Sequence, residues 1–179
     1  AGAQWIGLSG RDAVAEQIVV TNGAQHALLC TMMATLRKDE LIVAEHLTYP
    51  GLVAAARGLG VRLDGLAMDA QGLLPEALDE ACRKGVIRAV FLQPSVINPT
   101  ATLMSAERRQ ALAEVARRHD IAIIENDVLG PLVENRAPPL AAYAPERTLY
   151  VTSFTKITVP GLRIGSLAAP DRYVAAVAH

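Results

Sequence analysis

Short β-branched runs alternate with segments of helical period through most of this chain, and that alternation restricts the fold more than any other feature. "QIVVT" (17–21), "LIVAE" (41–45), "VRLDGLAM" (61–68), "IRAVFLQP" (87–94), "IAIIEND" (121–127), "TLYVTSF" (148–154) and "RIGSLAAP" (163–170) read as strands. Between them fall helical segments. In "NGAQHALLCTMMATLR" the residues Leu28, Met32 and Leu36 recur at helical spacing, and "YPGLVAAARGLG" is opened by Pro50 and closed by Gly58 or Gly60. "PEALDEACRKG" is a further helix, and "SAERRQALAEVARRHD" starts at Ser105 as N-cap and carries Leu112, Val115 and Ala116 on one face. Strands joined through helices pair in parallel and need cover on both faces. The expectation is a three-layer α/β/α domain with a mostly parallel central sheet over 1–179. "VENRAPPLAAYAPER" (133–147) reads as a proline-rich surface connection and "DRYVAAVAH" as a closing helix.

The 179 residues, 51% hydrophobic, suffice for one domain with a proper core. Basic and acidic residues, 17 and 18, are spread along the chain with no basic stripe, so any DNA binding has to come from a domain outside it. Cys30 and Cys82 lie in helical segments without metal-type spacing and read as reduced thiols. No apolar run approaches the roughly 18 residues of a membrane span, and no basic leader opens the chain, which points to the cytoplasm.

In such sheets ligands bind beyond the carboxyl ends of the strands, and unusual segments fall there: "TNGAQ", "LTYPG", "VINPT", "IENDV" and "SFTKITVPGLR". Taken singly, each has an ordinary explanation. Asn22-Gly23 is a turn, Tyr49 a core aromatic, Asn98-Pro99-Thr100 a loop and Lys156 a solvated lysine. His26 follows the helix start and either lines the site or, as the commoner case, packs on its helix, while His46 and His119 read as ordinary loop and helix-end residues and His179, the last residue, carries no reading. The segment around Lys156 matches neither helix nor strand period, however, and loops of that kind carry function. A lysine that forms a Schiff base needs a partly desolvated site near other positive charge. A phosphate group wants a helix N-terminus, hydroxyls and a guanidinium.

In order and spacing the set resembles the large domain of fold-type I pyridoxal-phosphate enzymes, specifically class I/II aminotransferases, from about residue 15 to the end; "SFTK…PGLRIG" beside "NPT" carries the resemblance. The resemblance implies pyridoxal 5'-phosphate as cofactor, with Lys156 as the catalytic Schiff-base lysine and proton shuttle. It implies a phosphate cup of Gly23, Ala24, Gln25, Ser153 and Arg163, a stacking ring at Tyr49, and a donor to the phenolic oxygen at Asn98. The usual Glu-Asp-Asp-x-Tyr at the pyridine nitrogen is here Glu125-Asn126-Asp127-Val128-Leu129, so either Asn126 or Asp127 meets the nitrogen and a tyrosine is missing at Leu129. Ala101 replaces the glycine of the usual Asn-Pro-Thr-Gly.

Complete members of the superfamily have an N-terminal arm and a C-terminal small domain, so the chain is expected to be a large-domain fragment, homodimeric in its full-length form. Two functions follow from the resemblance: an aminotransferase moving an amino group between an amino acid and a 2-oxo acid, or the effector-sensing domain of a GntR-family, MocR-type transcriptional regulator. Details such as "VTNGAQHAL" and "IIENDVLGPL" lean toward regulator sequences.

Overall fold

The computed structural model describes residues 2–178, apart from the side chain of Pro160. In chain order, helix α1 (Gly2–Gly7) precedes strand β1 (Ile18–Thr21), helix α2 (Gly23–Thr35), β2 (Leu41–Glu45), α3 (Pro50–Leu59) and β3 (Arg62–Leu66). A small hairpin, β4 (Met68–Asp69) with β5 (Gly72–Leu73), leads to α4 (Pro75–Lys84), β6 (Ile87–Leu92), α5 (Ala106–Arg118) and β7 (Ala122–Asn126). The short α6 (Leu140–Tyr143), β8 (Thr148–Ser153), β9 (Gly165–Ala168) and α7 (Asp171–Ala178) complete the chain.

Seven strands form one sheet in the order β1-β9-β8-β7-β6-β2-β3. Only β9 runs antiparallel to its neighbours, so β1, β8, β7, β6, β2 and β3 all end on the same edge. The pleat sends alternate residues to opposite faces, and the core divides accordingly. Ala122, Ile124, Leu149 and Val151 pack with Leu28 and Met32 of α2, Leu52 of α3 and Val177 of α7. Val43, Val90, Leu92 and Ile123 pack with Leu78 of α4, Leu112 of α5 and Leu140 of α6. Tyr150 and Ala168 meet Ile6 of α1 on that second face. Strands with both faces buried explain why "IAII" and "LYV" read as continuous apolar runs rather than alternating ones.

The α/β/α architecture with its mostly parallel sheet is the expected one, and so are the ends of the helices. Pro50 opens α3 and Gly60 closes it, and the Ser105 hydroxyl accepts the Arg108 N–H at 3.3 Å to cap α5. The connection 133–147 differs from expectation: Leu140, Ala141 and Ala144 are buried, because the α6 turn packs on the sheet and gives the backbone N–H groups of Leu140 and Ala141 to Glu125 at 2.9 and 2.8 Å. The helix α1 and the β4/β5 hairpin have too few residues to show a period in the sequence. Cys30 and Cys82 are half-buried and free. Among the described residues no helix is long and apolar enough to cross a membrane.

Candidate functional site

The shared direction of the strands brings the unusual segments to one edge of the sheet. Asn22 follows β1, Tyr49 follows β2, Asn98 lies beyond β6, Asn126 ends β7 and Lys156 follows β8. The ends of β7 and β8 are neighbours, with Asn126 opposite Val151, while β9 lies between β8 and β1.

The α2 end is built around glycines. Gly23 has φ of +77°, a conformation that favours glycine, and a Cβ there would stand 3.4 Å from the Arg163 guanidinium. The Arg163 side chain therefore lies across the first turn of α2, although its residue is far along the chain and itself left-handed (φ 50°). Gly165 sits still closer, since a Cβ on it would be 2.6 Å from the carbonyl carbon of Gly23 and 2.7 Å from Thr21 Oγ1. The side chain of the N-cap residue Asn22 makes no capping hydrogen bond among the described residues, and the Asn22 N–H donates to His26 Nδ1 at 3.1 Å, which is the role His26 plays on its helix. Helix N–H groups with a guanidinium laid over them are an anion cradle. The Gln25 side chain donates to the Gly51 carbonyl at 3.0 Å and accepts from the Tyr49 hydroxyl at 3.1 Å, so the first turn of α2 fixes the ring of Tyr49.

Ser153 is buried, donates to the Ile164 carbonyl at 3.0 Å and accepts the Thr155 N–H at 3.1 Å, which ties both ends of the lysine loop together. Lys156 lies on the turn within that loop and is exposed, as are Arg163 and Asn98. The Asn98 N–H donates to Gln93 Oε1 at 3.4 Å across a loop whose Asn98-Pro99 peptide is cis.

The pleat separates Asn126 from Asp127. Asn126 is on the α2 face, 7% exposed, and its Oδ1 has no hydrogen-bond partner among the described residues. A buried polar atom left without a partner is uncommon and calls for one. Asp127 turns to the α1/α6 face, where its carboxylate accepts from Arg136 and, at 2.6 Å, from the Tyr150 hydroxyl. Glu125 is fully buried on that same face; burial and the neighbouring Asp127 push its pKa up, against the pull of the Ala141 N–H and Arg109.

Glu45, at the end of β2, is a functional-edge residue that the sequence reading passed over. It is buried, neither oxygen has a partner among the described residues, and burial pushes its pKa up from 4.5 to about 7. The folded protein therefore holds this proton more tightly than the unfolded chain, and stability falls as pH rises from about 4.5 to 7, by about 3 kcal/mol once the group is fully ionised. In denaturant titrations Glu45→Gln should lose less stability than wild type between pH 5 and pH 8; an equal loss would place the pH dependence elsewhere, Glu125 being the next group of the same sign.

A family model described as Aminotransferase class I and II matches residues 2–179. The chain belongs to that family. Among curated relatives it is 31% identical over 173 residues to the uncharacterized HTH-type transcriptional regulator YdeF of Bacillus subtilis (strain 168), covering 97% of this chain and 37% of the relative. It is 36% identical over 170 residues to the aminotransferase swnA of Metarhizium robertsii, covering 87% of this chain and 34% of the relative. The chain thus spans about a third of the length of these relatives. Among solved structures, LysN, an alpha-aminoadipate aminotransferase from Thermus thermophilus complexed with N-(5'-phosphopyridoxyl)-L-leucine, superimposes with a TM-score of 0.89 at 27% identity, over 98% of this chain and 46% of LysN. An archaeal alanine:glyoxylate aminotransferase shares the fold with a TM-score of 0.91 at 24% identity, over 98% of this chain and 46% of that one. Pyridoxal 5'-phosphate is the cofactor of this class I and II family. The residues present fit it: an orphaned amide is buried at the floor and an anion cradle stands where Arg163 crosses α2.

Proposed function

We propose that this domain binds pyridoxal 5'-phosphate at the carboxyl edge of its sheet and transfers an amino group between an amino acid and a 2-oxo acid. The observation that carries the reading is the Gly23–Arg163 cradle on the same edge as the Lys156 loop and the buried Asn126 amide. When bound, the cofactor supplies an aldehyde that captures amines and a ring that withdraws electrons from the substrate α-carbon. Gly23, Ala24 and Gln25 offer backbone N–H groups to the phosphate, Arg163 offers charge, and Ser153 holds the loop. Tyr49, fixed by Gln25, presents its ring to the pyridine face, and Asn98 donates to the phenolic oxygen. Asn126 takes the ring nitrogen, since Asp127 is committed to Arg136 and Tyr150 on the other face. Lys156 Nζ anchors the cofactor and moves the proton at the substrate α-carbon. The full-length protein acts as a homodimer in the cytoplasm.

A second reading has its own support. Asn126 is neutral, so it cannot hold a proton on the ring nitrogen as a carboxylate does, and Leu129 supplies no phenol. That weakens α-proton removal and suits a domain that senses an amine, as in a MocR-type regulator with DNA bound by a separate domain. Relatives of both kinds support keeping it. Release of 2-oxo acid from a panel of L-amino acids by the loaded protein decides between them. The aminotransferase reading expects release that Lys156→Ala abolishes; bound cofactor with no release supports the sensor. On the aminotransferase reading Asn126→Asp, which places a carboxylate at the nitrogen, should raise release by about tenfold or more, corresponding to about 1.4 kcal/mol off the barrier. No gain would remove Asn126 from the ring.

A further inference from the structure

On the sheet face away from α2, a cavity of about 400 Å³ lies between α1, the turn Gly130–Leu132 and β8. Its floor is Tyr150 and Thr152, back to back across β8 with Val151 and Ser153 of the cofactor side. Trp5, Leu8, Pro131 and Val133 give it apolar walls. Thr152 is 1% exposed and its hydroxyl has no partner among the described residues. Arg136 reaches the cavity and spends one guanidinium nitrogen on Asp127.

The charge beneath this cavity does not balance. Three guanidiniums, Arg11, Arg109 and Arg136, face two carboxylates, Glu125 and Asp127, and all but Arg136 are almost wholly buried. Arg109 is satisfied by the carbonyls of Pro94, Met104, Ala137 and Pro138, but Arg11 Nε and Nη1 have no partner among the described residues. Burial raises the pKa of Glu125, which deepens the excess of positive charge at neutral pH. Buried charge without a counter-ion is costly, and an anion in the cavity offsets it.

We infer that this cavity is a second ligand site, separate from the cofactor edge, which takes a monocarboxylate with an apolar body: the carboxylate meets Arg136 and the Thr152 hydroxyl, and the body lies against Trp5 and Leu8. Trp5 is the chain's only tryptophan, so its emission reports binding directly and without cofactor. Titration of the 179-residue chain with benzoate should change Trp5 emission saturably, while benzyl alcohol at the same concentrations should not. Arg136→Met would strand Asp127 and unfold the chain, so Thr152→Val is the variant of choice; it should weaken benzoate by about tenfold or more, the worth of one hydrogen bond to a charged group. Excess inorganic phosphate, which competes for the Arg163 cradle, should leave the benzoate response in place. An equal response to benzyl alcohol, unchanged affinity in Thr152→Val, or displacement by phosphate would each overturn the site, whatever the outcome for the cofactor.

Discussion

Gly165→Ala should lower the stability of this domain by about 3 kcal/mol, at the upper end of what overpacking of a closed site costs. The added methyl would stand 2.6 Å from the Gly23 carbonyl carbon, 2.7 Å from Thr21 Oγ1 and 2.8 Å from the Gly23 oxygen. Two of those contacts are backbone, and Thr21 Oγ1 is itself engaged with the Gly23 carbonyl at 3.1 Å, so no flexible side chain can give way. Gly165 is also paired on both sides, with Thr21 of β1 and Ser153 of β8, and cannot move without opening the sheet. The same displacement would shift Gly23 away from Arg163, so the surviving folded protein should bind the cofactor's phosphate more weakly. Chemical denaturation and cofactor titration measure the two effects. A stable Gly165→Ala with unaltered binding would show that the close approach of β9 to the α2 turn is not what builds the cradle.

Lys156→Ala should have the opposite profile: complete loss of the protein-bound absorbance band expected of the wild-type chain with pyridoxal 5'-phosphate, leaving only the spectrum of the free cofactor, and stability within about 0.5 kcal/mol of wild type. Lys156 is exposed on a turn, and the loop is tied down by the Ser153 hydroxyl and by the Phe154 N–H, which donates to the Ile164 carbonyl at 3.1 Å. Removing the lysine side chain therefore costs the fold little, and on the proposed role it takes away the cofactor's anchor. Unchanged absorbance would mean that another amine holds the aldehyde; a melted variant would mean that the lysine has a structural part the loop contacts do not show.

The strands and the longer helices were legible because each is long enough to show its period, and the buried sheet announces itself in runs such as "AVFL" and "IAII". The edge of the sheet was legible too, since glycine, proline and charge interrupt those runs at the strand ends. What the sequence left open at Asn126 and Asp127 is a matter of pleat: neighbouring residues differ only in face, and the partners that reveal the face, Arg136 and Tyr150 for Asp127, lie 9 and 23 positions away. The Arg11, Arg109 and Glu125 cluster was invisible for the same reason. Its members are ordinary charged residues in the sequence, and only the packing of α1 and α6 on one face makes them neighbours. The Arg163 cradle lay between these cases: the residue types were suggestive, but the contact with Gly23 depends on β9 returning between β8 and β1.

One particular lysine at the carboxyl edge is proposed to receive the cofactor, and the chain provides its own controls. Its other lysines, Lys38 and Lys84, precede β2 and β6 at the opposite edge, and Lys84 is paired with Glu80. The most direct measurement is borohydride reduction of the wild-type chain with stoichiometric pyridoxal 5'-phosphate, followed by peptide mass mapping. A single adduct on Lys156 is the predicted result; adducts shared among Lys38, Lys84 and Lys156, with none preferred, would contradict it.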